Sequence, residues 1–240
     1  MENNVLQKPE PTQILKTAFG YWNRTLLYQL VYSLIYFSLF FIGYFYLFQY
    51  FGLWEEFSKH SDLVRTDFPA FNKKMEEIAR MPQARNFSLA FFALIALINP
   101  LNVGLFKIYR KLDLNEPVSI NDLFAGYLGF DFFKFFGFYL FWIIIFTYAN
   151  ALLILGLVWI FVTLFSIPLM FFQSVNTFEG INLSVKGLRK NFGTVILGVF
   201  VAMLFSFSGL LLFGFGFLFT FPFWNAMIYT LYQSIYKEVG

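Results

Sequence analysis

KFFGFYLFWIIIFTYANALLILGLVWIFVTLFSIPLMFFQSVNTFE (134–179) carries a charge only at its two ends. The 44 residues between Lys134 and Glu179 are all uncharged. A segment that crosses the hydrocarbon core needs about 20 apolar residues, so this stretch has room for two crossings and a turn. Working outward, the chain repeats the situation. Between Lys190 and Lys237 lie another two crossings' worth of uncharged residues. Arg24 to Glu55 and Arg85 to Lys107 each hold one more. The reading is an all-α polytopic membrane protein with six transmembrane helices, near 25–51, 86–106, 132–153, 157–176, 192–212 and 216–236.

Composition agrees. The chain is 59% hydrophobic and 13% charged, with 38 Phe among 240 residues, against about 25% charged for an ordinary soluble domain. It has no Cys, which excludes disulfides, zinc thiolates and thiol nucleophiles. The N-terminal MENNVLQKPEPTQ is polar and does not read as a signal peptide. A net charge of +3 is too small to imply nucleic acid. With six crossings both termini share one side, which then carries Lys8, Lys16, Arg24, Lys107, Arg110, Lys111, Lys134, Lys186, Arg189, Lys190 and Lys237. The opposite side carries six: Lys59, Arg65, Lys73, Lys74, Arg80 and Arg85. The excess places both termini in the cytoplasm.

The spans fall into three units. Each odd-numbered span has a lead-in of mixed character: TQILKTAFGYWNR (12–24), SINDLFAGYLGFD (119–131) and TFEGINLSVKGLRKN (177–191). These are expected to be amphipathic helices in the cytoplasmic interface. In the third, Ile181, Val185 and Leu188 share a face, Lys186, Arg189 and Lys190 lie to the other side, and Asn176 with Glu179 has capping-box spacing. Each even-numbered span carries one internal proline, Pro100, Pro168 or Pro222, expected to kink it. The chain is thus one membrane domain over 1–240 in three hairpins, about 12–109, 119–176 and 177–237. The first hairpin has an external insertion at 55–85, in which FPAFNKKMEEIARMP (68–82) sets Phe71, Met75, Ile78 and Ala79 on one helical face.

Residues 166–200, SIPLMFFQSVNTFEGINLSVKGLRKNFGTVILGVF, resemble the signature of the YciC-like bacterial inner-membrane proteins and of the membrane domain attached to some glycerophosphodiester phosphodiesterases. The matching marks are Pro168, Glu179, Ser184, Lys186, Arg189 and Asn191-Phe192. RKLDLNEPVSINDLFAGY (110–127) is similar to that family's linker into its second unit. Gly180 and Asn182 depart from it, because family members more often carry Ala there. The resemblance implies six spans and a bacterial cytoplasmic-membrane address. It implies no agreed activity.

Chemistry-bearing residues are sparse. No acid, base or His lies mid-span, where a coupling ion or proton relay would need one. Asp131 and Lys134 open the third span and read as an interfacial pair. His60 is the only His; with Glu56 it makes too few ligands for catalytic zinc. Phe213-Gly214-Phe215-Gly216 is a turn, not a phosphate loop. Uncharged polar residues do lie in the spans, among them Gln29, Ser33, Asn99, Asn102, Thr147, Asn150, Thr163, Gln173 and Asn225. Asn99, Asn150 and Asn225 stand out as intramembrane contacts, since Asn99 and Asn225 lie beside prolines whose freed carbonyls an amide can bond. Tyr28, Tyr32, Tyr36, Tyr44, Tyr46 and Tyr50 load the first span, leaving a groove for a lipid chain or partner helix as one reading. The expected role is a non-enzymatic scaffold or accessory subunit, without a cofactor, that binds membrane lipids and other membrane subunits. Lys186, Arg189 and Lys190 are its expected contact site. The alternative is a transporter of a lipid or small hydrophobic molecule, and a cavity lined by polar groups among the hairpins is the feature that would favour it.

Overall fold

The computed structural model describes residues 10–236. Lys8, Lys237 and most of the polar N-terminal segment, on which the orientation and signal-peptide readings partly rest, lie outside the described residues. Among the described residues every regular element is helical. Five helical stretches are long and apolar enough to cross a membrane: Leu26–Tyr50, Pro82–Asp113, Asp131–Ala149, Leu153–Phe172 and Phe192–Leu211. The chain is therefore read as membrane-embedded.

The sixth expected span differs. The turn after Leu211 delays the helix to Phe217, and the break at Phe221-Pro222 then divides it into Phe217–Thr220 and Phe223–Tyr236. Neither piece alone is long enough to cross.

The helices are α1 (Pro11–Arg24), α2 (Leu26–Tyr50), α3 (Leu53–Lys59), α4 (Leu63–Thr66), α5 (Phe68–Ala79), α6 (Pro82–Ile98), α7 (Leu101–Asp113), α8 (Asp131–Ala149), α9 (Leu153–Thr163), α10 (Ser166–Phe172), α11 (Thr177–Lys190), α12 (Phe192–Ser208), α13 (Phe217–Thr220) and α14 (Phe223–Tyr236). Local chemistry fixes several ends. Pro11 and Pro82 open α1 and α6, where a missing N–H costs nothing. Gly52, at φ 73°, lets the chain turn after α2. Asp67 accepts from the Ala70 N–H at 3.0 Å and caps α5, on which Phe71, Met75 and Ile78 are half-buried and Ala79 is exposed.

The middle lead-in is a correction. Residues 120–127 form a tight 3-10 helix, not an α-helix. Ser119 and Asp122 cap it reciprocally. The lead-in α11 runs as expected, and Asn176 accepts from the Glu179 N–H at 3.0 Å. Its buried face is another correction. Gly180, Ser184, Gly187 and Leu188 are buried, while Ile181 and Val185 are only half-buried. Small residues let α11 lie close on α10. A side chain at Gly180 would begin 3.2 Å from Met170, which accounts for glycine there.

Two of the three prolines sit at breaks, and the third lies just beyond one. Pro100 separates α6 from α7 and Pro222 separates α13 from α14. Hydrogen bonding shortens there, with Asn102 N–H on the Asn99 carbonyl and Asn225 N–H on the Pro222 carbonyl, both 2.9 Å. In the second unit the break falls at Leu164-Phe165 and Pro168 sits inside the first turn of α10. Proline is tolerated there for the same reason as at an N-terminus.

Beyond the breaks, α7, α10 and α14 converge. They hold most of the fully buried large side chains, including Leu101, Leu105, Ile108, Tyr109, Leu169, Phe223 and Tyr229. Each lead-in packs on the post-proline helix of the unit before it. The 3-10 helix covers α7, α11 covers α10, and α1 covers α14. The order is cyclic.

The same cycle appears in the hydrogen bonds at the residue three before each proline or at its neighbour. Tyr127 donates to the Leu97 and Ile98 carbonyls at 2.8 and 3.0 Å. Trp22 donates to the Phe219 carbonyl at 2.7 Å. Ser184 Oγ accepts from the Phe165 N–H at 3.1 Å. A broken helix leaves backbone groups that an apolar surrounding cannot satisfy; here the next unit's lead-in supplies each partner.

Candidate functional site

Before the prolines the helices stand apart. A cavity of about 410 Å³ lies between them, within the range of about 300–1,000 Å³ typical of ligand sites. Walls come from α2, α6, α7, α8, α9, α12 and α14. Tyr32, Tyr36, Asn99, Asn102, Tyr139, Trp142, Thr163, Ser206 and Asn225 line it together with aromatic and branched aliphatic side chains. None of the lining residues is charged.

The polar groups form a connected set across α2, α7 and α8. Tyr32 donates to Asn102 Oδ1 at 2.7 Å, and Asn225 on α14 lines the cavity with them. Asn102 Nδ2 reaches the Asn99 carbonyl at 2.9 Å, Asn99 Oδ1 at 3.1 Å and the Tyr139 hydroxyl at 3.3 Å. Tyr36 reaches Asn99 Oδ1 at 3.5 Å. On the next wall Trp142 Nε1 donates to Thr163 Oγ1 at 2.8 Å, and Thr163 donates to the Trp159 carbonyl at 2.6 Å. Such bonds offset the cost of holding amides and hydroxyls away from water.

The cavity is open at the side. Met203 and Phe207 on α12 line it and are 40% and 58% exposed. Among the described residues α12 packs on α14, α13 and α1 but makes no extended contact with α8 or α9. The gap faces the belt of exposed apolar side chains that includes Leu153, Ile154, Leu157 and Val158 on α9 and Phe200 and Leu204 on α12. At the post-proline end α11 bridges the gap by packing on α9, α10 and α12.

Asn99 and Asn225 therefore come together, but not in the expected roles. The Asn99 amide bonds the Ile95 carbonyl at 2.9 Å. That is one residue from the Ala96 carbonyl, whose i+4 partner would be Pro100. Asn225 lines the cavity and bonds no freed carbonyl among the described residues. Asn150 is exposed in the turn after α8, beside Gly156. Nothing in the sequence singles out Tyr139, Trp142 and Ser206, and Asn102 is marked there only as one of several polar residues within spans. Their signal is a polar or amphipathic group on the inward face of a span, which composition does not reveal.

The charged groups lie elsewhere. Lys134 does not pair with Asp131; it donates to the Met170 carbonyl at 2.7 Å, at the C-terminal end of α10, where a cation is favoured. Glu56 pairs with Lys59 and not with His60. Asp122, buried under the 3-10 helix, meets Lys107 at 3.1 Å and Lys111 at 2.9 Å. Burial pushes its carboxyl up, but bonds from Lys111, the Ser119 N–H and Lys107 outweigh that and hold it at about 2. Asp113 accepts from both Tyr21 and Tyr229, tying α1 and α14 to the end of α7. Lys186, Arg189 and Lys190 are exposed and form no ion pair among the described residues.

Comparison with family models, curated proteins and solved structures returns no match for the chain. What the molecule does must be read from the cavity itself.

Proposed function

We propose that the chain is an integral membrane protein whose central cavity takes an uncharged amphiphile from the bilayer through the gap between α9 and α12. The carrying observation is the half-open, charge-free cavity lined by a connected set of hydroxyls and amides. Binding from the membrane plane fits the exposed apolar rim at Met203 and Phe207. Moving such a ligand between leaflets, the transporter reading, follows if the helices before the prolines rearrange while those beyond them stay packed. The scaffold reading draws on the broad exposed apolar surface of α2, with Leu39, Phe41, Ile42, Phe45 and Tyr46; a lipid-facing surface has the same composition.

In this reading there are six crossings in three hairpins, with α13 and α14 together making the last. The address is the bacterial inner membrane, as the resemblance to YciC-like proteins implies. Both termini and all three lead-ins lie on the cytoplasmic face. Lys186, Arg189 and Lys190 then meet anionic headgroups, each contributing about 1 kcal/mol.

Two experiments test this. Lipids extracted from protein purified in mild detergent should include a neutral species at near-stoichiometric amount, lost in Met203→Trp, which plugs the rim. Bulk phospholipid alone in both preparations would remove the cavity reading and leave the scaffold. Single cysteines at Ser61 and Asn182 should label and fail to label, respectively, with an impermeant reagent from outside; the reverse would sink the orientation.

A further inference from the structure

We propose that the ligand presents a carbonyl oxygen, as an ester or a quinone does, to the Tyr139 hydroxyl in this cavity. The inference rests on the ligand-cavity reading and adds its chemistry. Three observations carry it.

The first is charge. No Lys, Arg, His, Asp or Glu lines the cavity. A carboxylate, phosphate or ammonium would be buried there without a counter-ion, at a cost that an uncharged head avoids.

The second is the balance of donors and acceptors. Asn102 Oδ1 is taken by Tyr32, and Asn99 Oδ1 receives both Asn102 and Tyr36. One hydroxyl hydrogen is left over. The Tyr139 hydroxyl accepts from Asn102 and donates to no protein atom among the described residues. Ser206 Oγ also has no partner among them, but it is closed off by its neighbours and does not reach a ligand. A free Tyr139 hydrogen beside amide acceptors that are already taken favours a ligand oxygen that accepts.

The third is shape. Phe106, Phe138, Trp142, Phe221 and Trp224 surround the polar set, which favours a flat or conjugated head. About 410 Å³ holds a head and the start of a chain, not a whole diacyl lipid. The remaining chain leaves between α9 and α12 into the bilayer.

The test uses the full chain in detergent and three probes: a decyl-substituted benzoquinone, dioctanoylglycerol and dodecanol. The quinone is followed by quenching of tryptophan fluorescence, since Trp142 and Trp224 line the site. The other two are followed by displacement of the quinone. At least one carbonyl probe should bind well above dodecanol, and which one binds names the source. Tyr139→Phe, folded as judged by an unchanged melting temperature, should weaken that probe by about threefold to tenfold. Ser206→Ala, whose hydroxyl is closed off from the cavity, should leave it unchanged. Dodecanol binding as tightly as both carbonyl probes, or carbonyl binding indifferent to Tyr139→Phe, overturns the carbonyl assignment and leaves the cavity reading standing. If Met203→Trp leaves every probe's binding unchanged, the cavity reading itself fails.

Discussion

The helices beyond the prolines and the helices before them are drawn from the same greasy alphabet, yet one layer is closed and the other open. The difference lies in side-chain size at the contacts. Beyond the prolines, Gly104 meets the 3-10 helix so closely that a Cβ would overlap the Leu123 carbonyl oxygen, and one on Gly126 would overlap the Pro100 oxygen. Gly180, Ser184 and Ala226 are also buried in that layer. Without a hydrophobic force between helices in lipid, small residues and polar bonds decide which helices touch. Before the prolines, close small-residue contacts are local, at Gly43 against Leu94 and Gly209 against Gly216, while the cavity walls on α8 and α12 offer Phe, Tyr, Trp, Ile and Met, whose bulk holds those backbones apart. The breaks let one chain do both, and each break's stranded backbone group is met by a neighbouring lead-in. A closed layer with an open one above it is an arrangement in which a ligand can enter without the bundle coming apart.

The sharpest way to break this comparison is a pair of glycines. Gly104→Ala puts a methyl into backbone and should cost about 2–4 kcal/mol, at the upper end of overpacking effects. Gly137, on α8, has open space where a Cβ would stand, with nothing within 4 Å. Gly137→Ala should therefore be neutral or stabilise slightly through helix propensity. Thermal melts in one detergent decide it. Equal effects would mean the two layers are not packed differently.

Second in size is the Asp122 latch between α7 and the 3-10 helix. Asp122→Asn strands two lysines and should cost about 1.5–3 kcal/mol, the range for hydrogen bonds to charged groups. The folded carboxyl titrates at about 2 against 3.8 for the ordinary group. Its contribution is therefore complete above pH 3.8 and is lost as pH falls toward 2. Parent and variant should converge in stability on acidification through that window. A gap that persists undiminished at the acid end would show that the latch is not electrostatic.

These positions also show how far the sequence could be read. The charge-free windows and the three prolines announce helices and breaks, because both depend on the chemistry of single residues. The lead-ins α1 and α11 are visible from composition. The partner of each lead-in is not, since the cyclic order joins Trp22 to Phe219 and Ser184 to Phe165 across the sequence. Nor is the face that α11 buries. Ile181 and Val185 dominate its apolar pattern, while the contact is made by Gly180, Ser184 and Gly187, which barely register on a hydrophobic scale. Asn99 and Asn225 are marked by their prolines, but their meeting with Tyr32, Asn102 and Tyr139 is a product of four helices. Asn150 misleads because the apolar run continues through the turn that contains it, from Tyr148 to Leu155.

The smallest expected effects test the cyclic order itself. Tyr127→Phe, Trp22→Phe and Ser184→Ala each remove one bond to a broken helix while keeping most of the side chain. Each should cost about 0.5–1.5 kcal/mol, the net worth of one hydrogen bond, with the upper part of the range for buried groups left unpaired. Ser184→Ala should cost most, since the Phe165 N–H lies in a fully buried residue and its one lost acceptor has no water to replace it. Tyr127→Phe and Trp22→Phe should cost less, because both residues are only half-buried and water can reach part of each site. If the three units are equivalent, each variant should also loosen the post-proline helix of the preceding unit in hydrogen exchange: α7 for Tyr127, α10 for Ser184 and α14 for Trp22. Exchange that instead rises only within the mutated lead-in would separate the lead-ins from the breaks. The closed layer would then owe its order to small-residue packing alone.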